Sequence, residues 1–304
     1  MKERYRSFSS YLKGIFKEKV YRVTVNAGLS CPNRLKGKGC IYCYLGSSYD
    51  VEKAKQSIKE QIKNGIERVK KRYGANKFLV YFQAYTNTFA PLNALKKIYD
   101  EVKQFEDVVG IIIGTRPDCV PDDVLELINS YTKDYLVWIE YGLESSHFKS
   151  LKWMKRGHGV SDFVDAVIRT RKYKDINICS HIILGLPTED EEDMLETADL
   201  LSALKIDGIK IHPLHIIKNT ELERIYLEER FNVLKLEEYV SLVTKFIERL
   251  HPKTIIQRLT GEAPEELLIA PYWCSHREKN RVIQLIRDEL EKRNTYQGAK
   301  CRFR

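Results

Sequence analysis

The chain has 304 residues, 43% hydrophobic and 31% charged, with 51 Lys and Arg against 42 Asp and Glu for a net charge of +9. That is enough for one large domain or a large domain with an appendage, and no window approaches the roughly 20 apolar residues of a membrane span. The N-terminus is basic without an apolar run behind it, which argues against a signal peptide, and the odd count of seven cysteines argues against a secreted disulfide framework, so a cytosolic protein is expected.

Residues 1–18 read as a basic segment in which RYRSFSSYLK mixes Arg, Lys and aromatics, a combination able to stack on bases and hold phosphates. A valine-rich strand follows at 19–25. A helix is expected over 51–73, with Ile58, Ile62, Ile66 and Val69 on one face. Then come a strand at 77–83, a helix at 91–105 opened by Pro91, a strand at 108–114, and a helix at 121–131 with acids in its first turn. A strand at 135–142, a helix at 161–173 that Ser161 can cap, a strand at 176–185, a helix at 189–204 and a strand at 208–216 complete the alternation.

Six mostly unbroken apolar strands with helices between them imply an α/β fold on a parallel sheet buried on both faces. The pattern leaves open whether the sheet is doubly wound or curls into a partial barrel. In both, ligands sit at the carboxyl ends of the strands. After Leu236 the alternation stops: a helix at 237–250, a short strand at 254–259 and a helix at 279–294 look too thin for their own core and should pack on the preceding domain. The expected division is a basic segment at 1–18, a core at 19–235 and a mainly helical extension at 236–304.

Much of the positive charge is local. Residues 274–304 carry nine Lys and Arg against four acids, and residues 51–73 carry eight against three. One such run is usually a solvated face; two raise the prospect of a polyanion partner.

Cys31, Cys40 and Cys43 lie just beyond the first strand with spacing C-x8-C-x2-C. A C-x2-C turn brings two thiolates to one metal centre, and Pro32, Gly37 and Gly39 favour a wrapping loop over a helix. Lys36 and Lys38 would lower the thiol pKa values. Zinc, redox chemistry and chance all remain open for such a pair. A cubane iron–sulfur cluster normally takes four cysteines, and three would leave one iron open to a small molecule.

This spacing, with Tyr42 before the last cysteine, resembles the radical S-adenosylmethionine (radical SAM) superfamily. The long first gap resembles the branch containing the catalytic subunit of elongator and the YhcC-like proteins. VNAGLSCPNR, YFQAYTNTFAP, GTRPDCVPD, EYGLES, HIILGLPTED and APYWC resemble the YhcC-like set in the same order, from about Tyr11 to about Cys274. The resemblance implies a partial (β/α)6 barrel of the TIM type, with a 4Fe–4S cluster on Cys31, Cys40 and Cys43. Its open iron would chelate S-adenosylmethionine, whose reductive cleavage gives a 5′-deoxyadenosyl radical.

The resemblance further implies cofactor contacts. Gln83 and Ala84 stand where relatives carry a Gly-Gly-Glu-type segment, here without its glycines. Glu144 would meet the ribose and Arg156 the methionyl carboxylate; His181 would face the ribose, and the Tyr42 backbone would lie near the adenine. By themselves Glu144 could be a helix cap, Arg156 a surface charge and His181 a satisfied core histidine. Cys119 and Cys179 read as buried small hydrophobes, Cys301 as incidental, and Cys274 as a packed loop residue with a second reading as a substrate contact. The implied partners are tRNA, through wobble uridine, and an electron donor such as flavodoxin or ferredoxin. A radical SAM enzyme acting on a metabolite or protein, and a non-catalytic zinc or iron–sulfur module, are the alternatives.

Overall fold

A computed structural model describes residues 3–37, 39–44, 55–229 and 231–303. Lys38, the first residues of the helix expected at 51–73, and Arg304 lie outside the described residues. Each expected strand pairs with the next: β1 (Val20–Val25), β2 (Lys77–Phe82), β3 (Val108–Thr115), β4 (Leu136–Glu144), β5 (Ile176–Leu184) and β6 (Gly208–Pro213) run parallel in that order. Beyond them β7 (Ile216–Ile217) pairs antiparallel with β9 (Leu268–Ala270). Between those two in sequence, β8 (Ile255–Arg258) joins the main sheet beside β6 as a seventh parallel strand.

The sheet curls. Lys210 on β6 places its Nζ 3.1 Å from the Tyr81 hydroxyl on β2, four strands away in the ladder. Strands in a flat sheet sit about 4.8 Å apart, so those side chains could not meet without curvature. The result is a half-barrel, open between β1 and β8, with helices outside. Alternation does the sorting: Val80, Ile111, Ile139 and Ile178 face the outer helices, whereas Leu79, Ile112, Trp138 and Cys179 face the interior.

The N-terminal end of the barrel is plugged. Ser7 caps a helix, Phe8–Phe16, whose Phe8 and Leu12 are buried against Leu79, Trp138 and Ile255. The rings of Phe8 and Tyr11 meet Trp138 edge-on at 5.6 and 5.9 Å. This corrects the expectation for the basic N-terminal segment in part: Phe8 is buried in the barrel floor and not available to stack on bases, and Tyr11 packs on Trp138 beside it.

Other differences are local. Pro32–Leu35 is a one-turn helix with Cys31 at its N-cap, not a loop, because Pro32 is preset for the first helical position. Helices Phe148–Trp153 and Glu221–Glu229 were not expected; six to nine residues offer too little periodicity to read. The helices Leu236–Arg249 and Lys279–Lys292 bury Val243, Phe246, Val282 and Ile286 in the same core as the barrel's outer face. Cys301 is buried rather than incidental, with its segment held through Lys300 N to Glu248 O at 2.8 Å.

The plug yields a stability test. Phe8→Ala should cost about 3–5 kcal/mol, the usual range for a buried aromatic truncated to a cavity. Urea denaturation of both proteins measures it; a loss below about 1 kcal/mol would mean that Phe8 does not support the floor.

Candidate functional site

A cavity of about 240 Å³ opens at the carboxyl ends of the strands, where parallel folds keep their ligands. Cys31, Cys40 and Cys43 line one side. A turn from Cys40 O to Cys43 N, 3.0 Å, brings the last two together. The Cys40 sulfur accepts from the Asn33 side-chain amide at 3.4 Å and from Arg156 Nη1 at 3.6 Å; the Cys43 sulfur accepts from Arg34 Nη1 at 3.4 Å. Donors aimed at sulfur favour thiolates over thiols, but at Cys43 burial outweighs Arg34 and raises the thiol, against the lowering expected from neighbouring lysines.

Arg156 organises this wall. It is buried in the turn after Phe148–Trp153, with Nη2 donating to Gly142 O at 2.8 Å and lying 3.3 Å from Glu144 Oε1. Gly142 is required there, since a Cβ would come 2.2 Å from Arg156 Nη2. Glu144 follows a register shift between β4 and β5 and has φ of 69°, a rare conformation for a non-glycine residue. Arg116, paired with Asp118 at 2.8 Å, donates to Arg156 O at 2.7 Å and so fixes the turn. Asn33 donates to Lys155 O at 2.7 Å, tying the same turn to the cysteine loop.

Deeper in the cavity lies a layer that the sequence reading missed. Glu140, 1% exposed, accepts from Lys210 Nζ at 2.5 Å and is bonded to His181 Nε2 at 2.9 Å. Burial alone would raise the Glu140 carboxyl, but Lys210 and His181 together hold it well below its usual range. Burial pushes Lys210 down to about 8, with Glu140 opposing, so both are ionised at neutral pH. Burial also lowers His181, and lowers His212 well below its ordinary value, so both rings are neutral at neutral pH. Glutamate and lysine at alternate positions of apolar strands were the available signal: neither belongs on a doubly buried strand without a partner.

The comparisons place this geometry. The radical SAM superfamily pattern matches residues 25–201 and the Radical_SAM C-terminal domain matches residues 206–292. The protein MJ0486 of Methanocaldococcus jannaschii is 40% identical over 301 residues, spanning 97% of this chain and 92% of that protein. YhcC of Escherichia coli K12 is 35% identical over 274 residues, 89% of this chain and 87% of YhcC. The chain belongs to the radical SAM superfamily. Within it, this radical SAM chain groups with YhcC. More distantly, it is 26% identical over 200 residues, 64% of this chain and 34% of the other, to a tRNA uridine(34) acetyltransferase of Methanocaldococcus infernus. The solved Elp3 of M. infernus shares the fold at a TM-score of 0.68 and 19% identity, covering 91% of this chain and 64% of that one.

The chain is a radical SAM enzyme, and the superfamily's cofactors are a 4Fe–4S cluster and S-adenosylmethionine. The residues present fit both. Three sulfurs on one wall, two of them with amide or guanidinium donors, suit an anionic thiolate-bound cluster. The Tyr42 hydroxyl and Arg156 Nε are buried in the same wall without a hydrogen-bond partner, so polar groups remain to be met.

Of the residues expected to touch S-adenosylmethionine, Tyr42, Gln83, Glu144, Arg156 and His181 all line the cavity. Ala84 is buried and is not among the lining residues. His158 is buried behind this wall and pushed down to about 3 by burial and Arg156. Cys119 and Cys274 are both pushed up to about 12 by burial, and Cys274 donates to Gly261 O at 3.4 Å, as a packed loop residue would. Cys179 is buried, but beside Glu140 and His181 rather than in wholly apolar surroundings.

The basic runs also separate. In the tail, Lys279 pairs with Glu262, Arg281 with Glu278, Arg293 with Glu289 and Lys300 with Glu248. On the helix Ile58–Tyr73, Lys59, Lys63, Arg68 and Lys71 are exposed with no carboxylate partner among the described residues. That helix starts at the cavity end of the barrel, where Gln61 is bonded to both backbone groups of Asn26 just past β1.

The ionic layer makes a prediction. Lys210→Met leaves Glu140 buried without its cation and should destabilise the protein by about 3–5 kcal/mol. Adding Glu140→Gln should restore part of that loss. Chemical denaturation of the single and double variants measures both; additive losses would show that the two side chains are not coupled.

Proposed function

We propose that this radical SAM enzyme modifies tRNA at a wobble uridine. Cys31, Cys40 and Cys43 hold the cluster. Arg156, Glu144, His181, Tyr42, Gln83 and the backbone at Ala84 receive S-adenosylmethionine. When bound, the cofactors supply a carbon-centred radical that takes a hydrogen atom from substrate. The protein's own part is positional. Arg156 places a fixed guanidinium between the Cys40 sulfur and the Glu144 carboxylate, suited to orient a carboxylate beside the open iron. The plugging helix covers the far end of the barrel with apolar side chains, which limits water there.

The observation that carries the catalytic half is the single wall in which Arg156 joins a cysteine sulfur, Glu144 and the end of β4. The tRNA half is supported by likeness to a protein named for tRNA uridine 34 and by Lys59, Lys63, Arg68 and Lys71 of Ile58–Tyr73, exposed with no carboxylate partner among the described residues. The self-paired tail supports it much less than its charge suggests. An electron donor such as flavodoxin or ferredoxin would supply the reductant, in the cytosol where tRNA resides. No described helix is long and apolar enough to cross a membrane.

Three outcomes follow. Cys40→Ala should abolish reductive cleavage of S-adenosylmethionine and remove most of the iron; full cluster occupancy in that variant would sink the ligand assignment. Reversing Lys59, Lys63 and Arg68 to Glu should weaken tRNA binding and flatten the dependence of log affinity on log salt by roughly 0.9 per lost duplex phosphate contact. Reversal of Lys292 and Arg293 should change it less. Nucleoside mass spectrometry of tRNA from a deletion strain should show a wobble uridine arrested before its final form, and an unchanged profile would overturn the tRNA reading.

A further inference from the structure

Four of the five Lys and Arg side chains that line the cavity have a hydrogen-bond or ion-pair partner. Lys210 has Glu140, Arg156 has Glu144, Arg116 has Asp118, and Arg34 donates to Cys43. Arg258 also lines the cavity, and among the described residues no hydrogen bond or ion pair is assigned to it; the Glu262 carboxylate feels its charge but is bonded to Lys279 at 2.7 Å. Its placement is built in. On β8, Ile256 stands opposite Ile209, yet Arg258 stands opposite Lys210, because Gln257 is an extra residue in the ladder. Strict alternation would send Arg258 to the outer face with Ile256, which packs in the outer core. The bulge turns it inward instead.

Two further observations point to a ligand there. The His212 Nε2, on the same wall of the cavity, is buried and has no hydrogen-bond partner. So is the free oxygen of Glu140, a side chain 1% exposed. The side opening of the half-barrel, between β1 and β8, is lined by Arg22, Arg258 and Arg287 and by no acidic residue. Arg258 therefore adjoins Arg22 and Arg287 at the side opening and, within the cavity, His212, whose ring is neutral. A half-buried guanidinium that lines a cavity without a hydrogen-bond partner is free to complete a charge-assisted pair with an anionic ligand.

We propose that Arg258 and His212 form the substrate subsite of this enzyme and that they take an anionic group of the substrate, a carboxylate or a phosphate. This deepens the tRNA reading and rests on it for the identity of the substrate, but not for the anion. Arg258 gives the charge and the paired donors, and His212 adds a neutral hydrogen bond. Glu140 offers its free oxygen to a donor next to the anion. The subsite lies across the cavity from the cysteine wall, so the anionic group anchors the substrate while the portion near the cofactor reacts.

The test uses the reconstituted holoenzyme with tRNA from a strain lacking the gene. Arg258→Ala should raise KM for that tRNA about 10- to 150-fold, the loss expected for a charge-assisted pair, with the effect on KM rather than kcat. Arg258→Lys should recover part of it, since the charge returns without the planar fork. An unchanged KM in Arg258→Ala overturns the proposal. The nucleoside consumed separates the two sources: a carboxylate on it identifies that group as the ligand, and an uncharged one assigns the subsite to a backbone phosphate. If the unaltered enzyme consumes none of this tRNA, the tRNA reading fails and the subsite is decided separately. Phenylglyoxal modification of Arg258, followed by peptide mass spectrometry, should then be slowed by inorganic phosphate or acetate. A rate indifferent to both anions overturns the subsite.

Discussion

The buried pair between Glu140 and Lys210 is the constraint on which the rest of the barrel interior depends. Two charges cannot be taken out of water cheaply, and attraction offsets that cost only where geometry is good and the remaining lone pairs are met. Here the pair spans from β4 to β6, with Tyr81 of β2 and His181 of β5 completing the contacts. One ionic layer thus ties four strands together across the interior. It holds the curl, because none of these contacts survives if the sheet flattens.

The layer also divides the barrel. Below it, Trp138, Leu79, Ile112 and the plugging helix form a mainly apolar floor. Above it, the walls turn polar and the cavity opens. A reactive radical needs a dry boundary on one side and precise polar contacts on the other. Plug, ionic layer and cysteine wall, stacked along one axis, provide that boundary. Arg156 carries the order upward: its neighbour Lys155 is tied to Asn33, its carbonyl to Arg116, and its guanidinium to Gly142. Cysteine loop and strand end are therefore positioned by the same side chain.

Much of this was legible in the chain. Six apolar runs gave the strands within a residue or two at most ends, because doubly buried strands leave an unbroken hydrophobic signature. The cysteine spacing and the neighbouring motifs indicated the superfamily. Charge counts were misleading, since they cannot show that the tail's arginines and lysines face its own acids and those of adjoining helices. The N-terminal aromatics were misread for a related reason. Composition shows a ring but not whether a core has already claimed it.

The residues that escaped the reading share a cause. Glu140 and Lys210 looked like interruptions of apolar strands, and their meaning exists only once β4 and β6 face each other across the interior. Arg258 depends on a register shift in β8 against β6; Glu144 follows another in β4 against β5, but it was found from its motif, which does not rely on period. A bulge breaks the two-residue period from which inward and outward faces are deduced. Period-based reasoning fails where the chain departs from its period, and in this barrel two such departures lie at the cavity mouth. That coincidence has a physical basis. A regular strand presents side chains at fixed spacing, whereas a site needs a carboxylate or a guanidinium at one particular point. One extra residue re-aims a single side chain without moving the strand, so the same irregularities that hide the site from the sequence are what build it.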